Sequence, residues 1–321
     1  MKKVLQVCSS HEAYDCIRIF DPFKKVKEQL KNDNIIVETT PISAMNLQLA
    51  TKYDISLWHG CMCLNVYSVL KQVNFGLYVD DLMTDLNPGN PAHPSKAEIE
   101  GLKWCYKNAD SLIVTTEYLK QKLSEYNNRI FVCPNLVDIT EKHNDSKNVL
   151  YAYGNSHSYD LKLLVGMELN KDRNYYFFGK LPPSDLCVYT RSITDDITVK
   201  TNKPNVYWAE IQWNYEKYKV WMNNFDYGVG LVPLQDNEFN KCKSILKFIE
   251  YTQHGAVSVV SNVGAYAAIP DNCCVKVKDN WCEAIEYAFK NREEIYKNAL
   301  KFIVDKYTYN NDAWIRMYRS I

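Results

Sequence analysis

The sequence predicts an α/β protein of two doubly wound, parallel-sheet domains facing each other across a cleft. Three observations carry that prediction: a length of 321 residues, strand-like apolar runs that alternate with amphipathic stretches, and one polar, aperiodic stretch near the middle. A chain of this length fills two domains of ordinary size. Near-continuous apolar strands separated by helices imply parallel sheets covered on both faces.

In the first half the strand-like runs are "KVLQVC" (3–8), "IIVETT" (35–40), "YDISLWH" (53–59), "VNFGLYVD" (73–80), "SLIVTT" (111–116) and "RIFVCPN" (129–135). Amphipathic stretches such as "FDPFKKVKEQLKN" and "PSKAEIEGLKWCYKNA" lie between them. The second half repeats the alternation with "NVLYAYG" (148–154), "NYYFFG" (174–179), "NVYWAE" (205–210), "DYGVGLVPL" (226–234), "AVSVVSN" (256–262) and "CCVKVK" (273–278). The linker is "VDITEKHNDSKN", giving expected domains over 1–140 and 141–300. The tail reads as helices anchored by Trp281, Tyr307, Trp314 and Tyr318, and residues 301–321 are expected to pack back on the first domain.

Composition excludes several classes. Hydrophobic residues make up 46% and charged residues 24%, the balance of a globular protein with real cores. The longest apolar runs are far below the eighteen or so residues that cross a bilayer. The start, "MKKVLQVCSSHE", is too short in apolar residues for a signal-peptide core, so a cytoplasmic location is expected. A formal net charge of +0 argues against a general nucleic-acid binder, leaving nucleic acid only as an acceptor. The 11 cysteines read as reduced thiols. The close pairs "CMC" (61–63) and "CC" (273–274) have no second pair at zinc spacing, so no metal site is expected.

Doubly wound sheets bind ligands beyond the carboxyl ends of their strands. In the segment "NEFNKCKSILKFIEYTQHGAVSVVS" (237–261), Ser244 is a good N-cap and Gly255 a good C′ residue, which predicts a helix of roughly three turns. Lys247, Glu250 and His254 share one stripe, with Lys243 just before it; on helix geometry alone this is a solvated face with a Lys247–Glu250 pair. The helix follows a strand, however, so its start lies over the cleft. Backbone N–H groups at Ser244, Ile245 and Leu246, with Lys243 and Lys247, make an anion site suited to a diphosphate, and Glu250 is placed to accept from a ribose diol.

The segment "DYGVGLVPLQDNEFNKCKSILKFIEYTQHGAVSVVSNVGAY" resembles the donor-binding segment of GT-B glycosyltransferases, in particular those of glycosyltransferase family 4. "NADSLIVTTEYLKQKLSEYNNRIFVCPNLVD" resembles the end of their N-terminal domain, "YVDDLMTDLNPGNP" an Asp-Asp loop of some members, and "YDCIRIFDPF" an early Arg-x-x-x-Pro segment, here Arg18 and Pro22. The resemblance implies two Rossmann-like domains, a nucleotide-diphosphate sugar as donor, a hydroxyl-bearing acceptor, retention of configuration and no required metal or other cofactor. It also places residues. Glu250 matches the ribose-binding glutamate that closes a Glu-x7-Glu motif. The first glutamate of that motif falls on Cys242, which leaves Glu238 or Asp236 as substitutes near the transferred sugar. Lys243, Ser244 and Ile245 match the amides that hold the diphosphate. Relatives carry a basic pair after the first strand of the second domain; "GNSHSYDLK" offers Gly154 and Asn155 there instead, so Lys243 and Lys247 are expected to take over the charge.

On the first domain, Ser9, Ser10, His11 and Arg18 are acceptor-side candidates. His59, Glu238 and Lys243 are the catalytic candidates, with His59 equally readable as a partly buried histidine bonded to backbone. Asp80 and Asp81 read as loop braces more readily than as a base. Base stacking is expected near Ile211 or Trp213, and Tyr218 and Trp221 read as core. Acceptors under consideration are a polysaccharide, a small molecule or, as in some viral GT-B enzymes, a hydroxymethylated DNA base. A non-catalytic nucleotide- or sugar-binding module is the reading of another class, kept open by Cys242.

Overall fold

The computed structural model describes residues 1–8, 15–59, 67–142, 144–157, 159–179, 198–200, 205–209, 215–309 and 312–321. Each of the strand-like runs contains a strand. In the first half these are β1 (Lys2–Cys8), β2 (Ile35–Pro41), β3 (Ile55–His59), β4 (Phe75–Val79), β5 (Ser111–Val114) and β6 (Ile130–Val132). They form a parallel sheet in the order β2-β1-β3-β4-β5-β6.

The second half contributes β7 (Val149–Ala152), β8 (Tyr175–Phe178), β9 (Thr198–Lys200), β10 (Val206–Ala209), β11 (Val229–Val232), β12 (Val257–Ser261) and β13 (Val275–Val277). Their order is β13-β12-β11-β7-β8-β10-β9, parallel throughout except for β9, an edge strand that runs against β10. The pattern did not predict β9, because its three residues are too few to show a period. Leaving β9 aside, the chain winds outward in both directions from β7 and β11, which therefore flank the switch point. Between Val132 and Val149 the described chain has no helix or ladder strand, only a bridge from Val137 to Thr308.

The sheets have apolar cores on both faces. The last helix, Ala313–Ser320, packs on the helix Asp21–Asn32 of the first half. Its Trp314 is fully buried and donates from Nε1 to the Pro134 carbonyl at 3.1 Å. Its Tyr318 hydroxyl accepts from Gln6 Nε2 of β1 at 2.6 Å, inside the same core.

The helix expected from Ser244 runs over Leu246–Gln253, a turn shorter than predicted. A separate short helix, Glu238–Lys241, capped by Asn237, precedes it. Ser244 is not its N-cap: Ile245 holds that position without a side-chain cap, and the Ser244 hydroxyl is drawn away by Asn135 Nδ2 at 3.0 Å. The predicted stop holds, with Gly255 at φ +76, a conformation that glycine adopts without strain. Two further features seat this helix on the sheet. Tyr251 accepts from the Ala152 N–H of β7 and donates to the Leu231 carbonyl of β11, both at 3.2 Å. Gly230 in β11 leaves room for the ring, since a Cβ there would lie 2.2 Å from Tyr251 Cδ2. Gly230→Ala is expected to displace the helix and destabilise the protein by about 1–3 kcal/mol, the usual range for overpacking, measured by urea unfolding.

Candidate active site

Two adjoining cavities lie where the carboxyl ends of the two sheets meet. The smaller, about 370 Å³, is lined by Arg18, Asp80 and Asp81 from the first half and by Gly154, His157 and Lys243 among others from the second. The larger, about 550 Å³, is lined by Glu250, His254, Tyr215 and Tyr218 on one side and Lys24 and Lys25 on the other. Leu246, first residue of the Leu246–Gln253 helix, borders both.

The helix start therefore stands between the cavities, with Lys243, Ser244 and Lys247 lining the smaller and Glu250 the larger. First-turn N–H groups have no acceptor within their own helix; that of Lys247 meets the Tyr266 hydroxyl. Lys247 Nζ contacts Glu250 Oε2 at 2.8 Å and Tyr218 OH at 3.0 Å, and Tyr218 donates to the same Oε2 at 3.3 Å. Burial works against the Lys247 ammonium, but Glu250, helped by Tyr251 and Tyr266, outweighs it and raises its pKa. Tyr218 thus belongs to the site, whereas Trp221 packs on Phe178 and Phe225 as core. Burial, reinforced by Lys142, holds His254 at about 4, so its ring is neutral at pH 7.

Lys243 Nζ reaches across to Asp81 Oδ2 at 2.8 Å and lies over the Phe239 ring. Nearby, Gly154 ends the loop start after β7 with open space where a side chain would be. Asn155 begins the short 3-10 turn Asn155–His157 beside it. The neighbouring His157 was not singled out from sequence. Its Nδ1 is 2.8 Å from Asp160 Oδ2, and an H-x-x-D spacing in the loop of a switch-point strand was the signal available.

Arg18 organises the first-half wall. Its side chain is 1% exposed, and its guanidinium pairs with Asp80 Oδ1 at 2.8 Å and donates to the Cys133 carbonyl at 2.6 Å and Asn135 Oδ1 at 3.2 Å. Trp314 covers it at 4.8 Å. His59 Nε2 contacts the other Asp80 oxygen at 3.1 Å. His59 is therefore joined to the smaller cavity through Asp80 and is not among the residues that line it. Asp80 and Asp81 do brace, but by pairing with charged side chains of other elements, not by satisfying backbone donors of their own loop.

Glu238 and Cys242 stand apart from the cavities. Glu238 pairs with Lys122 and accepts from Tyr118, both of the first half, and pairs with Lys241 of its own short helix. Asp236, the other suggested substitute, pairs with Lys241 at 3.0 Å. Cys242 is fully buried in the core of the first sheet, and its carbonyl accepts from Thr116 Oγ1 at 3.3 Å. Of the remaining candidates, Ile245 is buried behind the helix start, while Ser9, Ser10, His11, Ile211 and Trp213 lie outside the described residues. Among the described residues, no cluster of His, Cys, Asp and Glu can hold a metal ion, and no helix is long and apolar enough to cross a membrane.

No protein-family profile matches the chain, and no curated protein sequence does. Solved structures do match in fold. The Anabaena protein HepE, solved with UDP-glucose, aligns over 100% of both chains with a TM-score of 0.64 and 11% identity. Sucrose-phosphate synthase from Thermosynechococcus elongatus aligns over 99% of this chain and 98% of its own, with a TM-score of 0.62 and 11% identity. An alpha-glucosyltransferase solved with UDP and a 13-mer DNA containing a HMU base aligns over 95% of both, again at 0.62 and 11%. The two-sheet architecture is thus that of the GT-B glycosyltransferases.

The Arg18–Asp80 pair yields a stability prediction. Burial disfavours the Asp80 carboxylate, but Arg18, His59 and Lys243 together overcome it and hold its pKa below the usual 3.8. The unfolded chain then binds the proton more readily than the folded one, so this contribution is complete above about pH 4 and is lost as pH falls through the lower folded value. Asp80→Asn strands the buried guanidinium and is expected to cost about 3–5 kcal/mol at pH 7. Urea unfolding of both proteins from pH 7 down to pH 3 should show that difference shrinking below pH 4.

Proposed function

We propose that the chain is a glycosyltransferase that moves a sugar from a nucleotide-diphosphate donor to a hydroxyl of an acceptor bound against the first half. The observation that carries this reading is the helix start between the two cavities. Lys243 and Lys247 stand on its phosphate side and Glu250 lines the other. A diphosphate at the helix start would meet two ammonium groups and the N-terminal dipole. The nucleoside would then extend into the larger cavity, where both described bonds of Glu250 fall on Oε2 and leave Oε1 for ribose hydroxyls. The diphosphate would lie at the helix-start end of the smaller cavity, beside Lys243 and Lys247, and the transferred sugar would fill the rest of it.

Each lysine can bind phosphate without leaving its carboxylate. An ammonium has three donors; Lys247 spends two on Glu250 and Tyr218, and Lys243 one on Asp81. We infer a UDP-sugar as donor, because structures of like fold were solved with UDP or UDP-glucose. Catalysis would rest on stabilising the departing diphosphate, which takes the acceptor's proton on the same face and so retains configuration. The positive charge supplied by the two lysines makes a divalent ion unnecessary in this reading, and the reaction should survive EDTA.

Two substitutions test the assignment. Lys243→Ala is expected to lower kcat on the order of 10²-fold, as loss of a charge-stabilising donor does. Glu250→Ala is expected to raise the donor KM on the order of 10-fold or more, equivalent to a lost hydrogen bond to a charged group. The assay is sugar release from UDP-glucose, UDP-N-acetylglucosamine and GDP-mannose with carbohydrate acceptors and, separately, hydroxymethylated DNA. Wild-type constants in both variants would remove the site assignment, and donor binding without turnover on any acceptor would favour the non-catalytic module.

A further inference from the structure

The loop after β7 carries a histidine–carboxylate pair that the proposed chemistry does not use. It lies at the carboxyl end of the switch-point strand, where a doubly wound sheet holds its ligand. Asp160 is 3% exposed and its oxygens are committed: Oδ1 accepts from the Gln235 N–H and from Asn240 Nδ2, both at 2.9 Å, and Oδ2 faces His157 Nδ1 at 2.8 Å. A carboxylate so bonded fixes the ring nitrogen facing it as the N–H donor. In the neutral ring the other nitrogen, Nε2, is then an acceptor only.

The loop itself is clamped across the cleft. Asn90 Nδ2 donates to the Ser156 carbonyl at 2.9 Å, and the Tyr159 hydroxyl donates to the Gly89 carbonyl at 2.6 Å. His157 is thereby held in the wall of the smaller cavity, which the helix start also lines. The charged groups that face it are Asp160 from its own loop, Lys243 from the segment before the Leu246–Gln253 helix, and Asp81 from the loop after β4; the Phe239 ring lies 6.4 Å away. Burial and then Lys243 push its pKa below the ordinary value, with Asp160 and Asp81 opposing. The ring is therefore neutral at pH 7.

An acceptor-only Nε2 is mismatched to phosphate oxygens, which are acceptors as well. Protonation cures the mismatch, and a bound diphosphate supplies the negative charge that makes protonation favourable. We infer that His157, oriented by Asp160, takes a proton from solvent when a nucleoside diphosphate enters the smaller cavity and then donates Nε2–H to a phosphate oxygen. This rests on reading the cavity as the diphosphate site. It also supplies the charge that "GNSHSYDLK" lacks by having no basic pair, and it does so only while ligand is present.

Linkage makes the inference measurable, because uptake of one proton tightens binding by up to about tenfold per pH unit as pH falls. The probe is UDP-glucose, whose diphosphate has no group that titrates near neutrality. Titration calorimetry at pH 7 in buffers of different ionisation enthalpy should show uptake of up to one proton by the wild-type protein. Affinity measured from pH 8 to pH 6 should steepen accordingly, and His157→Gln should bind UDP-glucose with no uptake and a flat pH profile. Absence of proton uptake in the wild-type protein overturns the inference whether or not the variant folds. Equal pH dependence in the two proteins overturns it as well. If the wild-type protein binds neither UDP-glucose nor UDP, the donor-site reading fails and takes this inference with it.

Discussion

The buried Arg18 guanidinium is the interaction on which the site depends. A charge removed from water is costly unless it is paired, and the partners of Arg18 come from well-separated parts of the chain. Asp80 follows β4, Cys133 and Asn135 follow β6, and Trp314 belongs to the last helix. Two of these partners lead on to the second half: Asp80 precedes Asp81, which holds Lys243, and Asn135 holds Ser244. One desolvated charge thus fixes the wall of the smaller cavity and, through two neutral or paired links, the approach of the other half.

The same geometry explains the cysteine that departs from the pattern the chain resembles. The segment between Glu238 and Ser244 is drawn toward the first half by Tyr118, Lys122, Thr116 and Asn135. At its centre, residue 242 points into an apolar core. A carboxylate there would be buried without a partner, at a cost of several kcal/mol or by staying protonated. A thiol behaves as a small hydrophobe instead, and burial pushes its pKa up to about 12, so it stays protonated. Glu238 is tied elsewhere, its carboxylate held by two lysines and a tyrosine away from both cavities.

Much of this was legible in the sequence, for a physical reason. Strands buried on both faces leave long apolar runs, so all the predicted strands exist, and glycine at a left-handed position marks where the Leu246–Gln253 helix stops. The Lys247–Glu250 pair was legible too, because i,i+3 neighbours on a helix are fixed by its pitch. What failed depended on contacts distant in sequence. Ser244 has every local qualification as a cap, yet Asn135, 109 positions away, takes its hydroxyl. Tyr218 has core spacing, but an ion pair on another element recruits it. His157 looked like loop text until Asp160, Gln235 and Asn240 showed that its partner is held rigidly.

Charge balance decides how a protein of zero net charge can hold a dianion. The smaller cavity and its rim carry Arg18, Lys243 and Lys247, but each is already matched by Asp80, Asp81 or Glu250. Three closed pairs produce little long-range field, which is the economical arrangement for an empty cleft and gives weak attraction to polyanions at large. In the proposed reading, a diphosphate seated at the helix start would gain from donors at short range, where the low dielectric of the cleft makes each contact count. Selectivity would then reside in geometry: the ligand would have to reach Lys243, Lys247 and the helix start together while its other end filled the cavity beside Glu250. A ligand with phosphates but no nucleoside meets only half of that requirement.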